Sequence, residues 1–268
     1  SGVYLWNWID DTIEKLPYAA DAHVVHYSHS EQLFYGLAPP LGSHFDPSII
    51  QIFDGAGNIL WEHEQTASHI NYLSMDADHV YASLRSHCAL VKINKMTHAV
   101  EMQIGSADST VNIWDHHSQM HPTTPKKFFF NSWHHQHKFQ MLSHKYYSLF
   151  DNHIDPVDLD GDDGSKIHAH EFVDDGESSR MVVLELDEES GQVQEVFSFD
   201  TGDYAHIYGS ADVLPSGNVL GNSYPQYVEP EDEDRQYQVN IWEVTPFGEI
   251  AWRLGIKGLN VWNPDDYS

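Results

Sequence analysis

Four histidines, two arginines and one asparagine stand at matching points of a repeating pattern in this chain: His23, His69, His137, His206, Arg85, Arg180 and Asn152. An arginine guanidinium can hold two oxygens of a sulfuryl or phosphoryl group at once. Histidine can serve near neutral pH as a nucleophile or as a general acid and base. Asn and Arg can stabilise charge that develops on a transferred group. The set therefore suits transfer of an anionic group, provided that the fold gathers residues far apart in sequence. The same residues could instead bond the backbone of neighbouring elements. Arg85 and Arg180, where buried, need a partner or a ligand in either case.

The elements that must position them repeat four times. Each repeat opens on a short stretch with a histidine: 22–25, 68–71, 136–139 and 205–208. A second β-type run follows at 32–37, 79–84, 145–150 and 218–221, a third at 49–53, 89–93, 180–186 and 238–244, and a fourth at 58–62, 99–104, 192–199 and 249–254. Period-2 alternation is plain in Val182–Asp187 and Ile250–Leu254, and helical periodicity is weak. Gly57, Gly191 and Gly248 fall in three of the four turns before the last strand, where positive φ is often required. Four antiparallel strands repeated radially are blades, so the expected fold is an all-β β-propeller.

In a blade, the start of strand one, the end of strand two and the start of strand three share one face. The four histidines open first strands, Arg85 and Asn152 follow second strands, and Arg180 starts a third. All are expected at one mouth of a central channel.

The organisation expected is one propeller domain over residues 1–268, with insertions at 106–133 and 153–178 that form loops. Gly2–Trp8 reads as a fourth strand without its first three, so about four and a half blades are visible. Three explanations stay open: residues 255–268 help to close a small propeller, the chain is a part of a longer one, or another chain completes the ring.

The net charge of -28, from 41 acidic and 13 basic side chains, argues against nucleic acid and anionic membranes as partners. One cysteine, Cys88, excludes an internal disulfide and a cysteine-based zinc site. No apolar run reaches transmembrane length, so no membrane insertion is expected. No signal peptide is present, as in a mature secreted chain, and the expected location is extracellular or periplasmic.

Trp133–Phe139 with Ser148–Asn152, Ser179–Asp187, Gly209–Leu220, Ser68–Asn71 and Ser83–Ser86 follow one another in an order that resembles the arylsulfotransferase family. The likeness runs from about residue 49 to 254. It implies a six-bladed propeller that moves a sulfuryl group between phenolic esters and phenols without the usual nucleotide sulfate donor. It also implies a ping-pong route through a sulfated histidine. By motif, His69, His137 and Arg180 would be catalytic and sulfate-binding, with Arg85 as a nearby support. Asn152 and His23 join Arg85 as substrate-binding residues by their place in the repeat. The family's modified histidine lies beyond the Leu-Pro-x-Gly-Asn turn. No histidine follows His206 here, and His206 takes that role by position rather than by motif.

Two further groups carry side chains of metal-ligand type. Asp155, Asp158, Asp160, Asp162 and Asp163 resemble a run of Ca2+ ligands but lack EF-hand spacing. His116, His117, His121, His134 and His135 could bind zinc or copper. Glu229–Asp234 reads as an exposed charged loop. No cofactor is otherwise expected. Three functions thus compete: an arylsulfotransferase-like enzyme acting on a small aryl sulfate and a phenol, or on another anionic ligand; a non-catalytic propeller for assembly; and a histidine-rich extracellular metal-binding protein.

Overall fold

A computed structural model describes residues 2–39, 48–66, 69–106, 108–114, 133–153, 178–225, 228, 231 and 236–257. The acidic run from Asp155 to Asp163, His116, His117, His121, most of 229–234 and the end of the chain from 258 lie outside the described residues. The chain is all-β.

In chain order, β1 (Gly2–Asn7) and β2 (Thr12–Ala19) form a two-stranded antiparallel sheet. β3 (Val25–Ser28), β4 (Leu33–Leu37), β5 (Ser48–Phe53) and β6 (Ile59–Gln65) form a four-stranded meander. A second meander of four is β7 (Ile70–Met75), β8 (His79–Leu84), β9 (Ala89–Asn94) and β10 (Val100–Gly105). β11 (Asn112–Trp114), β12 (His137–Met141), β13 (Tyr146–Asp151), β14 (Arg180–Asp187) and β15 (Gln192–Asp200) make a five-stranded sheet in the order β11-β15-β14-β13-β12. A last meander of four is β16 (Ser210–Val213), β17 (Val219–Ser223), β18 (Val239–Val244) and β19 (Ile250–Ile256). Sequential strands that pair antiparallel in one sheet are the propeller-blade arrangement that the repeat predicts.

The turn before each last strand has one backbone signature. Gly57, Gly191 and Gly248 have φ of 84°, 64° and 81°. In the two hairpins without glycine, Asp11 and His98 take the same left-handed region at 54° and 59°. Gly2–Trp8 does not stand alone, because Gly2–Asn7 pairs antiparallel with β2, a strand that the repeat reading did not include. Pro17 had masked β2, because proline cannot donate to a ladder and weakens a strand pattern. It is tolerated where the β1–β2 register slips between Gly2 and Tyr4.

A second correction concerns the 106–133 insertion, which is not wholly loop. Asn112–Trp114 pairs parallel with Gln192–Gln194 and adds an outer strand to the third complete sheet.

Cα packing divides the chain into two units, residues 1–110 with 139–141, and residues 111–138 with 142–268. The first is centred on Val24, Tyr35, Ile50, Leu73, Val80 and Ile93, all buried. The second is centred on Phe150, Met181, Val183, Val219, Trp242 and Val244. Burying one such side chain contributes about 1.5–3 kcal/mol. Serines on second strands tie into these units: Ser83 Oγ accepts from Phe139 N–H at 3.4 Å in the first, and Ser148 Oγ donates to Ala211 O at 2.7 Å in the second.

β1 differs from the third strands of the four larger sheets. Whereas β5, β9, β14 and β18 bury apolar side chains, Tyr4, Leu5 and Trp6 of β1 are 58%, 53% and 62% exposed. β2 anchors the hairpin, with Tyr18 against Phe53 at a ring separation of 4.2 Å. Among the described residues no helix is long and apolar enough to cross a membrane.

Candidate functional site

In the first unit, His69 lies just before β7, and its carbonyl accepts from the Arg85 N–H at 2.9 Å. Arg85 opens a single 3-10 turn, Arg85–His87, directly after β8. The start of strand one and the end of strand two thus meet as the repeat predicts. Tyr72 to Met75 pairs with the run from Ser83 back to Val80, and this ladder sets the meeting.

His69 Nε2 is 2.9 Å from His23 Nε2, with the rings edge-on at 4.7 Å. His23 Nδ1 is hydrogen-bonded to the Asp21 carboxylate, which also accepts the His23 backbone N–H at 2.8 Å. When Nδ1–H donates to Asp21, His23 Nε2 is the acceptor for His69 Nε2–H. The result is a carboxylate–imidazole–imidazole chain that can share a proton. Burial would raise the Asp21 pKa, but the hydrogen bonds from His23 and the nearby His23 and His69 rings hold it below the usual carboxylate value. Burial pushes the Arg85 guanidinium pKa down, against an opposing effect of Cys88.

In the second unit, register does the positioning. Asp151, the last residue of β13, is paired directly with Arg180, the first of β14. Arg180 Nε and Nη2 donate to Asp151 Oδ2 at 3.2 and 3.0 Å. Its Nη1 donates to Ser198 Oγ at 3.2 Å and lies 3.5 Å from Glu195 Oε2. Asp151 Oδ1 accepts the backbone N–H of His134 at 2.8 Å and of His153 at 2.9 Å. Full burial would raise the Asp151 pKa, yet the His153 hydrogen bond, the Arg180 charge and the His134 N–H bring it down to about 2. Arg180 therefore has the partner that its burial demands.

Next to this pair, Asn152 meets His137, the first residue of β12. His137 Nδ1 is 2.6 Å from Asn152 Oδ1, and Asn152 Nδ2 donates to the carbonyls of Ala205 and Tyr208 at 2.6 and 2.9 Å. The Tyr208 N–H points at His137 Nε2 at 3.3 Å. The segment that carries His206 is thus held at both ends. His206 itself does not open a strand. It lies four residues ahead of β16, because Tyr208 and Gly209 take φ of 60° and 115° and turn the chain first. Gly209 is required there, since a Cβ would fall 2.1 Å from the Phe150 ring.

The structure thus brings His23 to His69, whose carbonyl meets Arg85, and His137 to Asn152 and the His206 segment, with Arg180 beside Asn152 on Asp151. Sequence reasoning missed Asp21 and Asp151 as partners and Tyr208 as a backbone donor. The signal available for the acids was adjacency: Asp21 stands two residues before His23, and Asp151 directly before Asn152. Cys88, His135, His153 and Tyr208 adopt φ of 51°, 51°, 55° and 60° beside these groups. Such backbone collects where surroundings over-determine a conformation, as at binding sites. Among the described residues no group of three or more His, Cys, Asp or Glu side chains is arranged to hold a metal ion.

The family model of arylsulfotransferases (ASST) matches residues 62–250. The chain belongs to this family. No curated protein is significantly similar to it. Among solved structures it is similar to a protein of unknown function from Bacteroides caccae, at 12% identity and a TM-score of 0.49, over 90% of this chain and 71% of that one. It is also similar to a putative 6-phosphogluconolactonase from Bacteroides uniformis, at 10% identity and a TM-score of 0.46, over 96% and 65%. A periplasmic gluconolactonase from Pseudomonas aeruginosa matches at 11% identity and a TM-score of 0.48, over 96% and 63%. The chain spans about two thirds of the length of these structures.

Proposed function

We propose that this protein transfers sulfuryl groups in the arylsulfotransferase manner. A histidine nitrogen attacks the sulfur of an aryl sulfate, the aryl O–S bond breaks, and the phenol leaves with a proton. A second phenol then attacks the sulfur of the sulfated histidine, gives up its proton to a base, and carries the group away. The observation that supports this best is His137 held by Asn152 against the segment that carries His206. A base oriented by a third group is a recurring part of covalent catalysis. In this reading His137 is the acid–base group and His206 carries the sulfuryl group. Sulfate-binding roles for His69, Arg85 and His23 are proposals about the first unit alone. Small aryl sulfates and phenols as ligands and an extracytoplasmic location belong to the same proposal.

One observation favours the other reading, a non-catalytic binding or assembly propeller. The Arg180 guanidinium, which the family resemblance assigns to sulfate, is paired with Asp151 and Glu195. The two readings separate in one assay. The protein is incubated with 4-nitrophenyl sulfate and a phenol acceptor, beside His137→Ala, His206→Ala and Arg180→Ala. Acceptor-dependent nitrophenol release that disappears in the histidine variants, with a sulfated His206 peptide in the unaltered chain, is the expected result. No release from folded protein would reject the enzyme reading and leave the binding module.

A further inference from the structure

We infer that Asn152 is a positioning residue that fixes His137 in the tautomer protonated at Nδ1, leaving Nε2 as the lone-pair nitrogen. Its catalytic consequence rests on the sulfuryl-transfer reading, whereas the tautomer itself does not. This deepens that reading and replaces substrate binding as the role of Asn152.

The argument begins with the orientation of the amide. Asn152 is fully buried, and one end of its carboxamide faces two carbonyls, Ala205 O at 2.6 Å and Tyr208 O at 2.9 Å. Only an NH2 group can donate to both, so that end is Nδ2. The other end is then Oδ1, an acceptor, 2.6 Å from His137 Nδ1. An acceptor at that distance requires a proton on Nδ1.

A second group specifies the same tautomer independently. The Tyr208 backbone N–H is a fixed donor aimed at His137 Nε2 at 3.3 Å. It requires a lone pair there. The opposite tautomer would set a lone pair against Oδ1 and an N–H against an N–H, and two hydrogen bonds would become two repulsions. Ser179 braces the frame: its hydroxyl donates to Asn152 O at 3.1 Å and accepts the Ala205 N–H at 2.8 Å. The carboxamide and the carbonyls that orient it are thus held together.

A base acts through its lone pair. Fixing the proton on Nδ1 presents Nε2 to its chemistry at every turnover, and the long Tyr208 bond competes only weakly for that lone pair. A proton received at Nε2 would face the Tyr208 N–H, so the protonation of His137 is coupled to the segment of His206.

The test is two-bond 1H–15N correlation of 15N-histidine-labelled protein at about pH 8.5, where ordinary histidines are neutral. The His137 signals are assigned by their loss in His137→Gln. The unaltered chain is expected to show a protonated Nδ1. Asn152→Ala removes the acceptor at Nδ1 and is expected to raise the share of ring protonated at Nε2, short of that of an unconstrained histidine because the Tyr208 N–H still favours a lone pair there. A protonated Nε2 in the unaltered chain overturns the inference, and this spectrum, assigned with His137→Gln, decides even if the Asn152 variants fail to fold. In the sulfuryl-transfer assay, Asn152→Ala is expected to lower kcat by about 100-fold or more with KM little changed. A shifted tautomer with unchanged kcat would overturn the catalytic consequence. Protonated Nδ1 without turnover in the unaltered chain would sink the sulfuryl reading and leave the positioning role.

Discussion

Asp151→Ala is expected to be the most damaging single polar substitution in the second unit. The Asp151 side chain is 0% exposed and its partner Arg180 only 12%. The change removes the acceptor of the guanidinium and of the His134 and His153 N–H groups. Removing one partner of a buried ion pair typically costs about 3–5 kcal/mol, because the other charge stays buried. Urea unfolding followed by tryptophan fluorescence measures the loss. The double variant Asp151→Leu with Arg180→Met should recover much of it, since apolar replacement of both charges is often close to neutral. Acid gives an independent check. The Asp151 pKa is depressed on folding, from 3.8 to about 2. Its stabilisation is therefore complete above the unfolded value and is lost as pH falls from about 4 through about 2. The linked free energy is ~2 kcal/mol. Arg180→Met should move the acid transition to higher pH. A loss below about 1 kcal/mol in Asp151→Ala, with no recovery in the double variant, would refute this account of the pair.

Gly221→Ala should abolish soluble folding or cost more than about 3 kcal/mol, because its Cβ would lie 2.0 Å from Met181 Sδ and 2.5 Å from Ser210 O. Gly191→Ala serves as the comparison: it meets no neighbour, and only its φ of 64° is strained; yields and unfolding midpoints of the two variants check this. Lys95→Met should cost about 1–3 kcal/mol by denaturation, since Lys95 Nζ joins Tyr35 OH and Asp76 O at 2.8 and 2.7 Å. Tyr4→Lys with Trp6→Lys should leave the unfolding midpoint nearly unchanged while reducing concentration-dependent association in light scattering, because both large side chains are exposed on the β1–β2 hairpin.

Much of the fold was legible in the chain. Val182–Asp187 alternates with period two and became the third strand β14, whose first half is buried on both faces and whose second half alternates. Gly57, Gly191 and Gly248 marked three outer hairpins, since glycine alone enters left-handed backbone without cost. The other two hairpins were not legible in this way. Asp11 and His98 have no preference strong enough to announce a positive φ, and the surrounding ladder imposes it on them. β11 was hidden for a similar reason: three residues show no period, and only the free edge of β15 makes them a strand.

The candidate site divides along the same line. Sequence by itself determined which side chains recur at which strand ends: His69 before β7, Arg85 after β8, His137 on β12, Asn152 after β13 and Arg180 on β14. These follow from local alternation and turn chemistry, which act over a few residues. What those side chains bond to was decided by tertiary structure. Arg180 faces Asp151 across 29 residues of chain, His69 faces His23 across 46, and Asn152 holds the carbonyl of Ala205 across 53. Hydrogen bonds form or fail within a few tenths of an ångström. Strand register and the left-handed turn at Tyr208 and Gly209 set those distances, and no spacing in the sequence encodes them.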